Sequence, residues 1–306
     1  MAASDGLKFG VTLPLIDVGG APETVRRFAL AAEGLGYHHL AAPDHVLGVN
    51  VASRPDWDPG RNTSADYFHD PFVMFGFLAG CAKRIGFSTQ VMILPQRQTA
   101  LVAKQAASLD VLSEGRFRFG VGIGWNPVEY AGLNENFADR GRRSEEQIEV
   151  LQALWAAPHV TFKGRWHDID DAGINPLPLG RSIPLWFGGH KDVTLRRIAK
   201  WGAGWIMLAH PLGAEAAGEF AKLKRYVEEA GRDPAEVGIE VWVSTGEGGP
   251  ADWKRTAEAW AEAGVTHVTL NNVFGRYACK RIPETTLDAH LRHMEAYWEA
   301  VRDLAG

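Results

Sequence analysis

The sequence predicts a closed (β/α)8 barrel, and three observations carry that expectation. Short apolar runs alternate with amphipathic helical stretches about eight times along the 306 residues. The alternation runs without hairpins, which implies parallel pairing through right-handed crossovers. The first strand-to-helix turn, "LPLIDVGG", lacks the G-x-G-x-x-G pattern of an open dinucleotide-binding sheet. Eight such units in roughly 250–300 residues is the size of a barrel. A doubly wound open sheet, usually with fewer strands, is the rival architecture.

The elements follow in order. "KFGVTL" (8–13) is the first apolar run, and "PETVRRFALAAEGLG" (22–36) sets Val25, Phe28, Ala29, Ala32 and Leu35 on one helical face, with Gly36 just past its end. "HHLAA" (38–42) is the second strand, and "DPFVMFGFLAGCAKR" (70–84) a helix with Pro71 in its first turn. "IGFSTQVMI" (85–93) is the third strand and "QTALVAKQAASLDVLS" (98–113) the third helix. "RFRFGVGI" (116–123) and "ADRGRRSEEQIEVLQALWA" (138–156) make the fourth pair. The fifth is "IPLWFGG" with "KDVTLRRIAKWG", closed by Gly202. "GWIMLA" pairs with "GAEAAGEFAKLKRYVEEAG", and "VGIEVWVS" with "PADWKRTAEAWAEAG". "THVTLNN" precedes the closing helix "TTLDAHLRHMEAYWEAVRDLA".

Two insertions break the rhythm. Residues 43–68, after strand 2, form a long loop rich in Pro, Asp, Gly and Asn. Residues 157–183, between helix 4 and strand 5, contain "HVTFKG" and "RWHDID", a small hairpin expected to turn at Lys163–Gly164. Long connections of this kind often act as lids or caps. No linker or shift in composition divides the chain, so residues 1–306 are expected to form one domain.

Composition narrows the function. The net charge is −5, with 32 basic and 37 acidic residues, which argues against a phosphate-backbone partner and hence against nucleic acid. The two cysteines, Cys81 and Cys279, form neither a zinc pattern nor a disulfide framework. Cys81, in an apolar helical run, reads as a small buried residue. A reducing, cytoplasmic location is expected. "MAASDGLKFG" has no signal-peptide organisation, and no run of about 18 apolar residues offers a membrane span. Most of the 11 tryptophans are expected in the core.

In a barrel of this type the reactive face is the C-terminal end of the strands. Read in turn, those ends carry Leu13 and Pro14; Asp44 and His45; Gln90, Val91 and Met92; Gly122, Gly124, Trp125 and Asn126; Gly188, Gly189 and His190; His210; Ser244 and Thr245; Asn271 and Asn272. They lack the His-x-His of a metal-dependent hydrolase, a strand-end lysine for Schiff-base chemistry and a Gly-x-Ser-x-Gly nucleophile. Glycine, amide and aromatic groups suit a large flat cofactor held by main chain and stacked on side chains. "WFGGHKDVTLRR" (186–197) sends a strand through two glycines into a helix N-terminus, which favours a phosphate or simply makes a tight turn. Asp44 beside His45 reads as a carboxylate able to orient an imidazole. His38, His39, His290 and His293 read as structural or surface residues.

At this point the residues resemble the bacterial luciferase-like flavin and deazaflavin oxidoreductases, and among them the actinobacterial branch that uses coenzyme F420. The resemblance is carried by "PDHV", by "DPFVMFGFLAGCAKRIGFSTQVMILPQRQ", and by "VAKQAASLDVLSEGRFRFGVGIGWNPVEY". It continues through "FADRGRRSEEQIEVLQALW", "FKGRWHDID" and "IPLWFGGHKDVTLRRIAKWGAGW". It implies a barrel with insertions and a tricyclic ring at its C-terminal rim. Asp44 would then meet the ring or its polar edge, and His45 would face the reactive carbon as acid, base or stabiliser. Gln90–Val91 falls where such enzymes place a non-prolyl cis peptide beneath the ring. Gly122, Gly124, Trp125, Gly188, Gly189 and His190 would hold the ribityl and phosphate portion. The sequence departs from related sugar-phosphate dehydrogenases, which carry glutamate just after the fourth-strand Gly-x-Gly. Trp125 stands there instead, with Glu129 a turn later. A more apolar substrate follows, with Trp57, Phe68, Met92 and Trp125 as pocket candidates.

The resulting expectation is an F420-dependent oxidoreductase that transfers a hydride to or from a small, fairly apolar molecule. One alternative is a monooxygenase using reduced FMN, dioxygen and a partner reductase. Another is a cofactor-free barrel that only binds a ligand. A basic groove for the acidic F420 tail would draw on Arg97, Arg140, Arg142 and Arg143. Small residues on helices 2 and 3 (Gly76, Gly80, Ala103, Ala106 and Ala107) could pack a homodimer or the barrel itself.

Overall fold

The computed structural model describes residues 6–58, 62–275 and 278–306. Its strands are β1 (Lys8–Thr12), β2 (His39–Ala42), β3 (Gly86–Thr89), β4 (Met92–Ile93), β5 (Phe117–Gly122), β6 (Val160–Lys163), β7 (Asp168–Ala172), β8 (Leu185–Gly188), β9 (Gly204–Leu208), β10 (Gly238–Val243) and β11 (His267–Leu270). The helices are α1 (Leu15–Val18), α2 (Pro22–Leu35), α3 (Pro71–Cys81), α4 (Thr99–Leu112), α5 (Pro127–Gly132), α6 (Arg140–Ala156), α7 (Asp192–Trp201), α8 (Ala214–Glu229), α9 (Pro250–Glu262) and α10 (Leu287–Val301). Nine strands pair in parallel in the order β3-β2-β1-β11-β10-β9-β8-β5-β4, and a β3–β5 pairing closes the sheet. With β3 and β4 as two pieces of one staircase position, this is an eight-stranded (β/α)8 TIM barrel.

Local chemistry sets the elements. Helix α2 starts with Pro22 at its first turn and stops at Gly36, whose φ of 110° is left-handed backbone that glycine adopts without a Cβ penalty. Helix α3 is capped by Asp70, which accepts from the Phe72 and Val73 N–H groups. Strand residues alternate between the helix layer and the barrel interior. Phe9 points outward into an edge-on contact with Tyr297 and Trp298 of α10, while Gly10 faces inward, where a Cβ would collide with the His39 ring.

The barrel interior is polar where such interiors are usually filled by branched apolar side chains. Fully buried Glu240 of β10 lies 2.6 Å from the Arg118 guanidinium of β5 and 3.0 Å from His39 Nε2 of β2. It also accepts from the Thr269 hydroxyl and the Gln90 amide. Arg118 stacks 4.2 Å over Trp186, whose ring fills the space left by Gly204 and Gly238. Burial alone would raise the Glu240 pKa, but Arg118 and His39 outweigh it and hold the carboxyl far below its usual range. Burial, reinforced by neighbouring Arg118, pushes His267 down to about 2. His39 is lowered for the same two reasons.

The structure refines several expectations. The third strand is not continuous: it breaks at the Gln90–Val91 peptide, which is cis. The hairpin exists as the antiparallel β6–β7 pair, but Lys163 pairs with Asp168, so its turn occupies 164–167 and does not sit at Lys163–Gly164. Gly164 N–H donates to His167 O across it. Cys81 is only partly buried, because it ends a surface helix, whereas Cys279 is buried and its thiol is pushed up to about 12 by desolvation. Helices α1 and α5 had no counterpart in the apolar periodicity, being too short to show one. None of the described helices is long and apolar enough to cross a membrane.

Glu146 of α6 fastens the hairpin. Its carboxylate accepts from the Arg165, Trp166 and His167 N–H groups and sits 2.8 Å from His167 Nδ1. Burial opposes its charge, yet these donors lower its pKa. Glu146→Ala strands them, so a loss of roughly 1–3 kcal/mol of stability is expected. Limited proteolysis should cut within 160–172 faster in the variant. Unchanged cleavage there would show that the hairpin is held by something else.

Candidate active site

The segment after β2 is pinned from two sides. Asp44, 2% exposed, accepts from Ile93 N–H at 3.0 Å and from Arg97 at 2.6 and 3.2 Å. Arg97 also reaches Asp70 at 2.9 Å. Burial works against the guanidinium, but Asp44 and Asp70 prevail and raise its pKa. Asp44 therefore locks the end of β2 to the end of β4 and to the cap of α3.

His45 is held by a residue that sequence reading set aside. Its Nδ1 lies 3.1 Å from Glu129 Oε2 and 2.9 Å from Asn62 Nδ2. Glu129 is fully buried on α5, and its other oxygen accepts from the Val46 and Leu47 N–H groups. Asn62 also donates to Leu47 O at 3.0 Å. The signal for Glu129 was present in "NPVE": Asn126 caps Val128 N–H, Pro127 occupies the first turn, and Glu129 lies one turn into a six-residue helix.

Aromatic rings surround this imidazole. Phe68 meets it edge-on at 5.0 Å and Trp125 at 6.1 Å, and Trp57 lies 5.6 Å from Trp125. Trp125 is 38% exposed, so the cluster opens to solvent. Three of the four pocket candidates thus come together. Met92 does not: it is fully buried in the core.

The glycine positions have a packing reason. A Cβ on Gly122 would sit 2.5 Å from Val91 Cγ2, and one on Gly188 2.8 Å from Val91 Cγ1. Val91 lies between two strand ends that only bare backbone can form. Gly124 (φ 63°) and Gly189 (φ 128°) occupy left-handed backbone. Trp205 Nε1 donates to Gly189 O at 2.8 Å and fixes that turn. His190 follows, 6.1 Å from the His210 ring, and burial followed by His210 lowers its pKa. The Gln90 side chain is bound inward, donating to Glu240 and accepting from Trp242 Nε1 at 2.6 Å.

Some buried polar atoms at the strand ends have no partner among the described residues. Thr12 Oγ1 is one, on the inward-facing register of β1, and Asn271 Nδ2, just past β11, is another. Two cavities lie apart from His45. One of about 20 Å³ is lined by Gly122, Gly188, Ser144, Thr194 and Arg197; the other, of about 300 Å³, lies between β10 and α9.

The closed parallel barrel thus carries a carboxylate–imidazole pair and an aromatic cluster at its C-terminal rim. Residues 9–300 match the family model described as luciferase-like monooxygenase. An uncharacterised protein of Mycobacterium tuberculosis is 32% identical over 280 residues, covering 89% of this chain and 92% of the relative. The chain belongs to the luciferase-like monooxygenase family, a family of oxidoreductases. Among solved structures, the monooxygenase RslO1 from Streptomyces bottropensis aligns with TM-score 0.75 at 17% identity, covering 97% of this chain and 99% of that one. An F420-dependent secondary alcohol dehydrogenase in complex with an F420–acetone adduct aligns with TM-score 0.73 at 18% identity, covering 98% and 100%. Both likenesses concern the fold.

Proposed function

We propose that this chain is a coenzyme F420-dependent oxidoreductase that moves a hydride between the deazaflavin and a small, fairly apolar organic molecule. The observation that carries the reading is His45 at the rim, anchored through Nδ1 and walled by Phe68 and Trp125. The sequence resemblance to the deazaflavin branch supports the cofactor, as does the F420 named for one structural neighbour.

The residues present fit a flat ring with a polar edge. The unpartnered Thr12 Oγ1 and Asn271 Nδ2 offer it hydrogen bonds, and the Val91 methyls, seated against Gly122 and Gly188, offer it an apolar contact. Gln90 and Val91 would underlie the ring, and Gly122, Gly124, Trp125, Gly188, Gly189 and His190 would hold its side chain. When bound, the cofactor supplies or accepts the hydride at its central ring carbon. His45 exchanges a proton with the substrate through Nε2, the ring nitrogen not engaged by Glu129 and Asn62. Asp44, its oxygens on Ile93 and Arg97, positions the His45 segment and the edge of the ring site. Trp57, Phe68 and Trp125 line the approach to His45 and favour an apolar substrate, while Met92, the fourth pocket candidate, is buried in the core.

A second reading, a monooxygenase using reduced FMN, dioxygen and a reductase partner, is favoured by one observation. Of the four arginines that would greet the acidic F420 tail, three are engaged within the chain. Arg97 binds Asp44 and Asp70, Arg143 pairs with Glu135, and Arg140 donates to Phe137 O while stacking on that ring. Titrating the purified protein with F420 and FMN in both redox states decides between them. Saturable binding of F420 and not FMN is expected. Binding of FMN alone would replace the proposal with the monooxygenase, and binding of neither with a cofactor-free ligand-binding barrel.

The reading includes a homodimer. Val73, Phe77, Leu101 and Leu112 are exposed on α3 and α4, and Gly76 and Gly80 leave open space beside them. Ala103, Ala106 and Ala107 are buried in the chain's own core and are not part of that face. Light scattering of the titrated sample should give twice the mass of the chain; a monomer would remove the dimer from the proposal.

A further inference from the structure

The geometry points to Glu129 as the positioning residue that fixes the tautomer of His45, with the proton on Nδ1 and Nε2 left as a proton acceptor. The inference rests on the catalytic reading of His45 given above, and it deepens that reading. Two groups compete for Nδ1. Asn62 Nδ2, at 2.9 Å, can only donate, and would demand a bare Nδ1 and a proton on Nε2. Glu129 Oε2, at 3.1 Å, accepts as a carboxylate and demands Nδ1–H. The identity of the Asn62 amide nitrogen is set by Leu47 O, to which it donates at 3.0 Å, so a flip would set oxygen against oxygen.

The competition is uneven. Asn62 keeps its bond to Leu47 O whichever group prevails. Glu129 is fully buried, and its Oε1 is already occupied by the Val46 and Leu47 N–H groups. For Oε2 the imidazole is the partner that the described residues provide. Leaving a buried carboxylate oxygen without a donor costs more than leaving one amide hydrogen unused. The Nδ1–H tautomer follows. His45 Nε2 has no hydrogen-bond partner among the described residues, and the ring sits between Phe68 and Trp125.

An acceptor at Nε2 suits a substrate that gives up a proton from O–H or N–H while the hydride of its neighbouring C–H bond passes to the oxidised deazaflavin of the proposed function, leaving a C=O or C=N bond. The proton passes to Nε2, and Glu129 faces the imidazolium so formed at Nδ1. The substrate class is therefore an alcohol or amine with apolar substituents.

The test is nitrogen-15 NMR of the full-length protein, labelled at histidine and free of cofactor, with the His45 signals assigned by their loss in His45→Asn. The wild type is expected to show a protonated Nδ1 and a bare Nε2. Glu129→Gln is expected to reverse that pattern, because Asn62 then prevails, and to lower turnover by roughly 10²–10⁴-fold with cofactor affinity unchanged. Asn62→Ala should keep the wild-type pattern. A wild-type spectrum with the proton on Nε2 overturns the inference, even if Glu129→Gln does not fold. So does a Glu129→Gln spectrum like the wild type. Because the tautomer is read without cofactor, its failure is distinct from failure of the F420 titration.

Discussion

Glu240→Gln is expected to cost about 3–5 kcal/mol of folding stability, the range for removing one partner of a buried ion pair. The carboxylate is fully buried, with Arg118, His39 and Thr269 directed at it from other strands and Gln90 from the break between β3 and β4. An amide of the same shape removes the negative charge and leaves Arg118 buried without its counter-ion. It also turns an N–H group toward donors. The midpoint of urea unfolding, at constant slope, measures the loss. If Glu240→Gln unfolds at the wild-type midpoint, the interior pair contributes nothing to stability. Replacing Arg118 with methionine in the same chain should recover part of the loss, since the stranded charge is then gone.

The same cluster gives the protein an acid-sensitive core. His267 titrates at about 2 when folded, against 6.5 for the ordinary group, so between those values the unfolded state binds the extra proton. Stability therefore rises with pH across that window and is lost on acidification below about 6.5. Glu240 acts in the same direction at lower pH: its folded pKa is depressed, so its contribution is present above the unfolded value and disappears as pH falls through the folded one.

His45→Asn is expected to lower turnover by roughly 10²–10⁴-fold, the usual range for removing a positioned proton carrier. Asparagine can still place an amide N–H near Glu129, so the loop after β2 should keep its shape, but nothing remains at the Nε2 position. Cofactor affinity should stay within a few-fold of the wild type, because Val91 and the glycine turns lie on other strands. The check is a single-turnover rate, followed by cofactor absorbance at saturating substrate, beside a direct binding titration. A variant that turns over normally would remove His45 from the chemistry. One that no longer binds cofactor would make it a structural residue of the ring site.

Much of the architecture was legible because it is periodic. Val25, Phe28, Ala29 and Ala32 repeat at helical spacing and are buried in α2. Asp70 before Pro71 announces the start of α3, and Asp70 caps it. The rim position of Asp44 and His45 followed from the end of one apolar run. What escaped was short or long-range. Helix α5 spans six residues, too few to show a stripe, and it carries Glu129. The cis peptide at Gln90–Val91 was expected from the family resemblance alone, and the strand break there was not expected at all, since "STQVMI" alternates no differently from an unbroken strand. That Arg97 takes up the oxygens of Asp44 has no sign in the sequence around Asp44, because the two lie 53 positions apart.

By itself, the sequence determined that eight strand–helix units would form, about where each would lie, and which residues would stand at the C-terminal ends of the strands. Those properties depend on spacings of two to four residues and on caps and turns that act locally. Only the tertiary structure decided which polar groups meet. His45 and Glu129 are 84 positions apart, Gln90 and Trp242 are 152 apart, and His39 and Glu240 are 201 apart. Barrel closure brings each pair within hydrogen-bond reach, and leaving such groups buried without a partner would cost stability. The identity of that partner is a property of the closed sheet, with no trace in the spacing of the chain.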